Sequence, residues 1–380
     1  MSLDGTRITM LVMNDVRRDA RVQKEARSAA AAGAEVTVLG VGEPESAVDF
    51  VEFELQLVPG LKSSTHPVWP VRVAQNLFGE RAVDRRLAHS ARHTRPDIVH
   101  CNDLNTLHIG ARVARETRCR LVYDSHELFT ETAGHRWWQR AILRRRERRL
   151  IGRADAVITV NPIIADELKR RYSLPATPAV VYNGPLSCRG VPAQDNSPMR
   201  LLYQGGFLGN RGLETLISVM GEFRGRCELT LQGWGPLEAD LRRRVDQSGL
   251  GDIVRFLPAA APEDLVETAA KHDVGVIVHR ANSLNNKYSS PNKLFDYMGA
   301  GLAVLASDLP FLRSVLEQEE CGLLFDPEVE GLLTRSISEL CDDREAVARM
   351  KARSAEACVK YSWNEQVRVL VSAYEKTKEL

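Results

Sequence analysis

The feature that most constrains this chain is a rhythm that starts twice. From Ile8, short apolar runs alternate with longer amphipathic stretches, beginning ITMLVM, DARVQKEARSAAAAG and EVTVL. The rhythm stops at NGPLSCRGVPAQDNSPM, Asn183 to Met199, and restarts at Arg200. Apolar runs of four to six residues separated by helical stretches imply parallel strands joined by crossover helices. Asp19 is placed to cap the first helix and Gly33 to close it, which leaves Asn14 to Arg18 as a polar loop at the end of the first strand. Further strands are expected at 97–100, 121–124, 156–160 and 179–182, then at 200–203, 228–232, 253–257, 274–278, 303–306 and 322–325. The fold class is therefore α/β, with two Rossmann-like, doubly wound domains joined by a Pro- and Gly-rich linker.

At 380 residues the chain exceeds one ordinary core, in keeping with two domains. Seven cysteines, an odd number without a CxxC pair, point to free thiols in a reducing compartment and so to a cytoplasmic protein. The apolar run Ile8 to Met13 is too short for a signal peptide or a span. Net charge is +1, yet residues 1–183 hold 28 Lys+Arg against 22 Asp+Glu, which leaves 23 against 28 for the rest, or +6 against −5. Such asymmetry suggests that the first half meets something acidic. Its densest part is Arg136 to Arg153, RWWQRAILRRRERRLIGR, with eight Arg, one Glu and two leading Trp. A basic helix with aromatic anchors suits an anionic membrane surface. The alternative is a solvated outer helix whose Ile142, Leu143, Leu150 and Ile151 pack on the sheet.

Chemistry concentrates in a few turns. Asn286 to Asp308, NKYSSPNKLFDYMGAGLAVLASD, reads as a polar loop, a short helix from Lys293 and a buried strand. A loop entering a helix offers unpaired N–H groups and the positive end of the helix dipole, a setting for phosphate. Lys293 adds a cation and Asp296, three residues on, a carboxylate that suits ribose hydroxyls. The bland alternative for this pair is a surface ion pair. Earlier, Gly205, Gly206 and Gly209 in QGGFLGNRG allow close backbone approach, and Arg211 follows at the helix entrance. In the first half His100-Cys-Asn-Asp103 and Asp124-Ser-His-Glu127 should open on the same sheet edge as Asn14. GGFLGNRG is not GxGxxG, GxxxxGK[ST] is missing, HELFT is not HExxH, and no Asp-x-Asp pair is present, so dinucleotide, P-loop and metal-diphosphate schemes are disfavoured.

Two Rossmann-like halves, a Gly-rich turn ending in a cation, the GxGP turn at Gly233, Gly235 and Pro236, and the loop-helix at 286–308 together resemble glycosyltransferase family 4. The resemblance implies a GT-B architecture: two facing domains with a cleft between them, 1–183 plus 363–380 on the acceptor side and 184–362 binding the nucleotide sugar. It implies a retaining hexosyltransferase that needs no metal and no cofactor. The co-substrate would be a nucleoside diphosphate sugar, expected to be a UDP-sugar. The acceptor would be a hydroxyl of a glycan, a lipid-linked or a natural-product molecule. Donor contacts carry over to Gly205, Gly206, Arg211, Gly233, Lys287, Ser290, Pro291, Asn292, Lys293 and Asp296. His126 matches the loop His that contacts the donor sugar, and Asn14, Arg17, Asp103 and Glu127 are expected on the acceptor side. Gly206 replaces the family's Arg, Tyr288 its first Glu, and Asp296 shortens its second; Lys293 is the expected substitute for the lost cation. No nucleic-acid partner is expected, and the protein would be cytoplasmic, with Arg136–Arg153 touching the inner membrane face. A nucleotide-sugar 2-epimerase and a non-catalytic partner subunit share this fold and stay open.

Overall fold

The computed structural model describes residues 2–17, 19–43, 50–60, 69–190 and 197–378; the side chains of 69–80, Arg18 in the first polar loop and 191–196 of the expected linker lie outside the described residues. The chain divides into two compact units, Met1–Val181 with Val367–Leu380, and Tyr182–Gln366. The sequence places these divisions at 183/184 and 362/363.

The first unit runs β1 (Arg7–Leu11), α1 (Ala20–Ala31), β2 (Glu35–Val41), β3 (Glu54–Val58), α2 (Trp69–His93), β4 (Ile98–Asn102), α3 (Leu104–Thr117), β5 (Arg120–Ser125), α4 (Trp137–Ile151), β6 (Ala156–Thr159), α5 (Pro162–Tyr172) and β7 (Ala179–Val180). Its sheet is parallel in the order β3-β2-β1-β4-β5-β6-β7. The Asp19 side chain accepts from the Val22 N–H and fixes the start of α1. β4 is buried at every position because helices cover both faces of a parallel sheet, so its pattern is a run and not an alternation. The strand β3, ELQLV, carries no such run and is absent from the sequence reading; it pairs at the sheet edge through Leu55↔Val38.

The second unit runs β8 (Met199–Gln204), α6 (Leu213–Val219), β9 (Cys227–Gln232), α7 (Glu238–Gln247), β10 (Val254–Leu257), α8 (Leu265–Ala269), β11 (Val274–Ile277), α9 (Leu284–Tyr288), α10 (Asn292–Gly299), β12 (Ala303–Ser307), α11 (Pro310–Glu319), β13 (Gly322–Phe325), α12 (Leu332–Asp342) and α13 (Arg344–Tyr361). Its sheet is parallel in the order β10-β9-β8-β11-β12-β13. In both units the order reverses beside the first strand, between β1 and β4 and between β8 and β11. Open α/β sheets bind ligands at the carboxyl ends of the strands flanking such a reversal. A final helix, α14 (Trp363–Lys378), begins in the second unit and ends in the first, where Lys378 donates to Thr6 Oγ1 (3.0 Å).

Two local expectations change. The segment read as loop before α10 begins as α9, because Ser283 Oγ accepts from the Asn286 N–H (3.1 Å) and caps a turn with no apolar periodicity. Cys188 and Cys358 form a disulfide with Cα atoms 5.9 Å apart, so the expectation of free thiols holds only for Cys101, Cys119, Cys227, Cys321 and Cys341. The two partners lie 170 residues apart, beyond the reach of spacing arguments.

One side chain fixes α10, and with it Lys293 and Asp296. Tyr297 Oη accepts from the Gln204 N–H (2.9 Å) and donates to the Leu202 carbonyl (3.2 Å), so α10 is pegged to β8. Its ring occupies the space beside Gly275 on β11, where an added Cβ would sit 2.1 Å from the ring. Tyr297→Phe should destabilise the protein by about 1–3 kcal/mol, because the Gln204 N–H is buried and would lose its acceptor. Urea unfolding checks this, and an unchanged midpoint at unchanged slope would show that the peg contributes nothing.

Candidate functional site

In the second unit the turns after β8 and β9 interlock. The Gly205 N–H donates to the Gln232 carbonyl and the Phe207 N–H to the Trp234 carbonyl, both at 2.9 Å. Gly233 (φ +153°) approaches so closely that a Cβ there would lie 2.0 Å from the Gly205 oxygen. Gly205 has φ +134°, and a Cβ on it would stand 3.2 Å from Lys293 Nζ. The Lys293 ammonium therefore lies directly under the glycine turn, 3.5 Å from the centre of the Tyr203 ring. Tyr203 is held in turn by donating to the Gly206 carbonyl (2.9 Å).

Burial, and then the positive field of Arg211, push the Lys293 pKa well below its ordinary value against the attraction of Asp296. Lys293 packs on an aromatic face beside a second cation, with Asp296 acting on it from the same helix. His279, which the sequence reading does not single out, completes the cluster: Arg211 Nη1 lies 3.1 Å from its Nε2 and 3.3 Å from its Nδ1. Ser290 Oγ, just before α10, is buried without a hydrogen-bond partner. Pro291 is the residue before the first turn of α10, where exposed Asn292 follows, and Lys287 is exposed on α9. The arrangement concentrates positive charge and an unused hydroxyl at the reversal of the sheet, which suits a multiply charged anion.

The first unit gathers the opposite chemistry. Asp124, at the end of β5, is buried and held by Arg21 of α1 through Nη2 (2.8 Å) and Nε (3.2 Å). Arg21 also reaches Glu25 (2.9 Å) and donates to the Val181 carbonyl (2.7 Å). His100 lies within β4 rather than in a loop, fully buried, its Nδ1 2.7 Å from Tyr374 Oη of α14. His126 sits between two carboxylates, Nε2 3.3 Å from Asp124 and Nδ1 3.7 Å from Asp103, and is 18% exposed at the side chain. Burial alone would lower its pKa, but Asp124 and Asp103 outweigh burial and push it up to about 10. Burial pushes Asp103 up to about 6, with the charge of nearby Glu127 acting in the same direction. Burial likewise raises the Glu25 pKa against the pull of Arg21.

The remaining first-unit expectations spend their side chains locally. Asn14 donates to Asp19 (2.8 Å) and accepts from the Val16 N–H (2.8 Å), while Arg17 Nε donates to Asp15 (2.9 Å). They build the loop after β1.

Two family models match this chain, Glycosyltransferase Family 4 over residues 20–184 and Glycosyl transferases group 1 over residues 198–343. The chain belongs to glycosyltransferase family 4. This family-4 glycosyltransferase is similar to an alpha-D-kanosaminyltransferase of Streptomyces kanamyceticus, 23% identical over 226 residues, 55% of this chain and 57% of that protein. The chain thus spans little more than half the length of that relative. An uncharacterized glycosyltransferase of Methanocaldococcus jannaschii is 23% identical over 306 residues, 75% of this chain and 76% of that one. Among solved structures, sucrose-phosphate synthase of Thermosynechococcus elongatus matches with a TM-score of 0.75 at 18% identity, covering 98% of each chain. HepE of Anabaena in complex with UDP matches with a TM-score of 0.71 at 14% identity, over 99% of this chain and 100% of that one. At such identities the likeness establishes the GT-B fold.

In this family-4 chain, Glu25, Asp124 and His126 bring ligand atoms within 4.8 Å of one another, the arrangement among the described residues that most resembles a metal site. The guanidinium of Arg21 already bonds both carboxylates, so the trio holds a built-in cation and fits a metal poorly. On α4 the expectation for Ile142 changes. It is 59% exposed beside Trp137 (82%) and Trp138 (45%), while Leu143, Leu150 and Ile151 are half-buried or buried. Arg144 is tied to Glu131 (2.6 Å), while Arg136, next to Trp137, and Arg145, Arg148 and Arg149 further along are exposed. Among the described residues no helix is long and apolar enough to cross a membrane.

The carboxylates around His126 set a testable charge state. With a folded pKa near 10 against about 6.5 unfolded, its stabilising contribution is full below pH 6.5 and lost as pH rises toward 10. The ring nitrogens of His126 should keep imidazolium 15N shifts from about pH 5.5 to 8, with only a small perturbation as Asp103 titrates near 6, and a full change to neutral-imidazole shifts near pH 6.5 would mean that the flanking carboxylates do not hold the charge.

Proposed function

We propose that this glycosyltransferase is a retaining, metal-independent hexosyltransferase. Its donor is a nucleoside diphosphate sugar, with UDP as the nucleotide, and its acceptor a hydroxyl of a glycan, lipid-linked or natural-product molecule. The observation that carries the donor reading is Lys293 packed under the glycine turn within the field of Arg211, where burial pushes its pKa well below the ordinary value and a bound anion would be favoured. A diphosphate supplies that anion, and the hydroxyl of Ser290 an additional bond. UDP in the HepE complex supports the choice of nucleotide. Asp296, on the same helix, is assigned to the ribose hydroxyls.

In the reaction, the bond between the sugar's anomeric carbon and the phosphate oxygen breaks, and a bond to the acceptor oxygen forms on the same face. The acceptor proton passes to the departing phosphate. Arg211 and Lys293 stabilise the charge that builds on the diphosphate, so catalysis is mainly positioning and electrostatics. His126, held as an imidazolium, is assigned to the sugar, with Asp103 and Glu127 beside it on the acceptor side.

Lys293→Ala should weaken UDP binding about ten- to a hundredfold, the scale of one charge-assisted hydrogen bond. Asp296→Ala should weaken it as well, and turnover should survive EDTA. UDP affinity unchanged in both variants, or turnover lost to EDTA and restored by manganese, would overturn the donor scheme.

A peripheral contact with anionic membrane through Arg136–Arg153 belongs to the same proposal. It is supported by the exposed face of α4, where Trp137, Trp138 and Ile142 precede Arg145 and Arg149. Vesicles containing phosphatidylserine should sediment the protein at low salt and release it as salt rises, since exposed charges are screened over about 8 Å at physiological ionic strength. Trp137→Ala should weaken that binding. A protein left in the supernatant at low salt would make α4 an ordinary solvated helix.

A further inference from the structure

Arg211 is expected to meet the diphosphate, yet an arginine on a turn has many rotamers. What aims it lies across the reversal of the sheet. The turn after β8 and the end of β11 are laced together: the Arg280 N–H donates to the Asn210 carbonyl (3.2 Å). Gly212, at φ +62°, comes so close that an added Cβ would lie 2.4 Å from the Val278 oxygen. Residues 210 and 212 are therefore both fixed against residues 278–280, and the two side chains between those anchors are Arg211 and His279. His279 is 4% exposed, and Arg211 Nη1 lies 3.1 Å from its Nε2 and 3.3 Å from its Nδ1, so the guanidinium nitrogen sits over the imidazole face.

We propose that His279 is a positioning residue whose ring face carries Arg211 and thereby aims the guanidinium at the nucleoside diphosphate; this rests on the donor reading above. A cationic guanidinium stacks on a neutral imidazole and is repelled by an imidazolium. Burial, followed by the fields of Lys293 and Arg211, pushes the His279 pKa well below its ordinary value and keeps the ring neutral. The planar fork then lies on His279, and its N–H groups stay available to the ligand in a fixed orientation. Fixing a long side chain before the ligand arrives removes part of the ordering cost of binding. The pairing sits where a doubly wound sheet binds its ligands, so the stacked contact serves the site more directly than the core.

The test is UDP binding by calorimetry to the wild type, His279→Leu, His279→Gln, Arg211→Ala and the double variant His279→Leu/Arg211→Ala. Leucine fills the site without a planar face, and its UDP affinity should fall about tenfold, the scale of one partly desolvated cation–π contact. Glutamine keeps a planar amide for the guanidinium to lie on and should keep affinity close to wild type. In the Arg211→Ala background the leucine change should have no further effect, because the two residues act as one unit. Wild-type affinity in His279→Leu, or an equal loss with and without Arg211, would overturn the assignment. If the leucine variant does not fold, His279→Ala is judged by the same two criteria. Absence of UDP binding by the wild type would remove the donor reading itself and this proposal with it. Binding by the wild type without coupling removes only the role of His279.

Discussion

Parallel strands buried on both faces govern this protein. Such strands cannot be joined by tight turns; each must be followed by a crossover, so their carboxyl ends all open along one edge of each sheet. The consequence is economy of placement. Arg21 and Asp124 are 103 positions apart in sequence, and Arg211 and His279 are 68 apart, yet each pair meets at the same kind of edge. Neither pairing requires long loops. It requires strand order, and in both units the reversal beside the first strand supplies it.

The two units use that edge in electrostatically opposite ways. In the first, carboxylates outnumber the cations that face them: Glu25, Asp103 and Asp124 surround Arg21 and His126, and the imidazole is held charged. In the second, Lys293, Arg211 and His279 meet, and two of the three are driven toward neutrality. Buried like charges are costly, and a chain retains them where a ligand of opposite charge repays the cost. The first unit carries its counter-ions in its own sequence; in the second, Asp296 acts on Lys293, and the proposed diphosphate would supply the remaining negative charge.

Much of this was legible. The strand runs, the Asp19 cap, the interruption after Asn183 and the cation at Lys293 are local signals, written in periodicity and turn chemistry. The unread parts are those that depend on contact between distant residues. Arg21 looks like any polar position on an amphipathic helix, and only the placement of β5 against β4 reveals it as the partner of Asp124. His279 is a lone histidine after an apolar run, a pattern that by itself is uninformative. Ile142 fits the inward stripe of α4 by spacing but lies outward, because a weakly amphipathic, arginine-rich helix does not fix its own rotation. The edge strand β3 lacks the continuous apolar run that marks the central strands, and so lacks their signal.

The glycines of the two interlocked turns are not alike. At Gly205, Gly233 and Gly235 the backbone takes angles that other residues resist, and at the last two an added Cβ would strike a carbonyl oxygen. At Gly206 the backbone is ordinary and an added Cβ would meet nothing nearer than Leu208 at 3.5 Å. The first three are therefore demanded by geometry and the fourth is not. Position 206 is a vacant seat beside these constrained glycines, where a side chain can be gained or lost without rebuilding either turn. The cation that the family resemblance implies at this place, and that this chain does without, is thus a matter of side-chain chemistry and not of the fold.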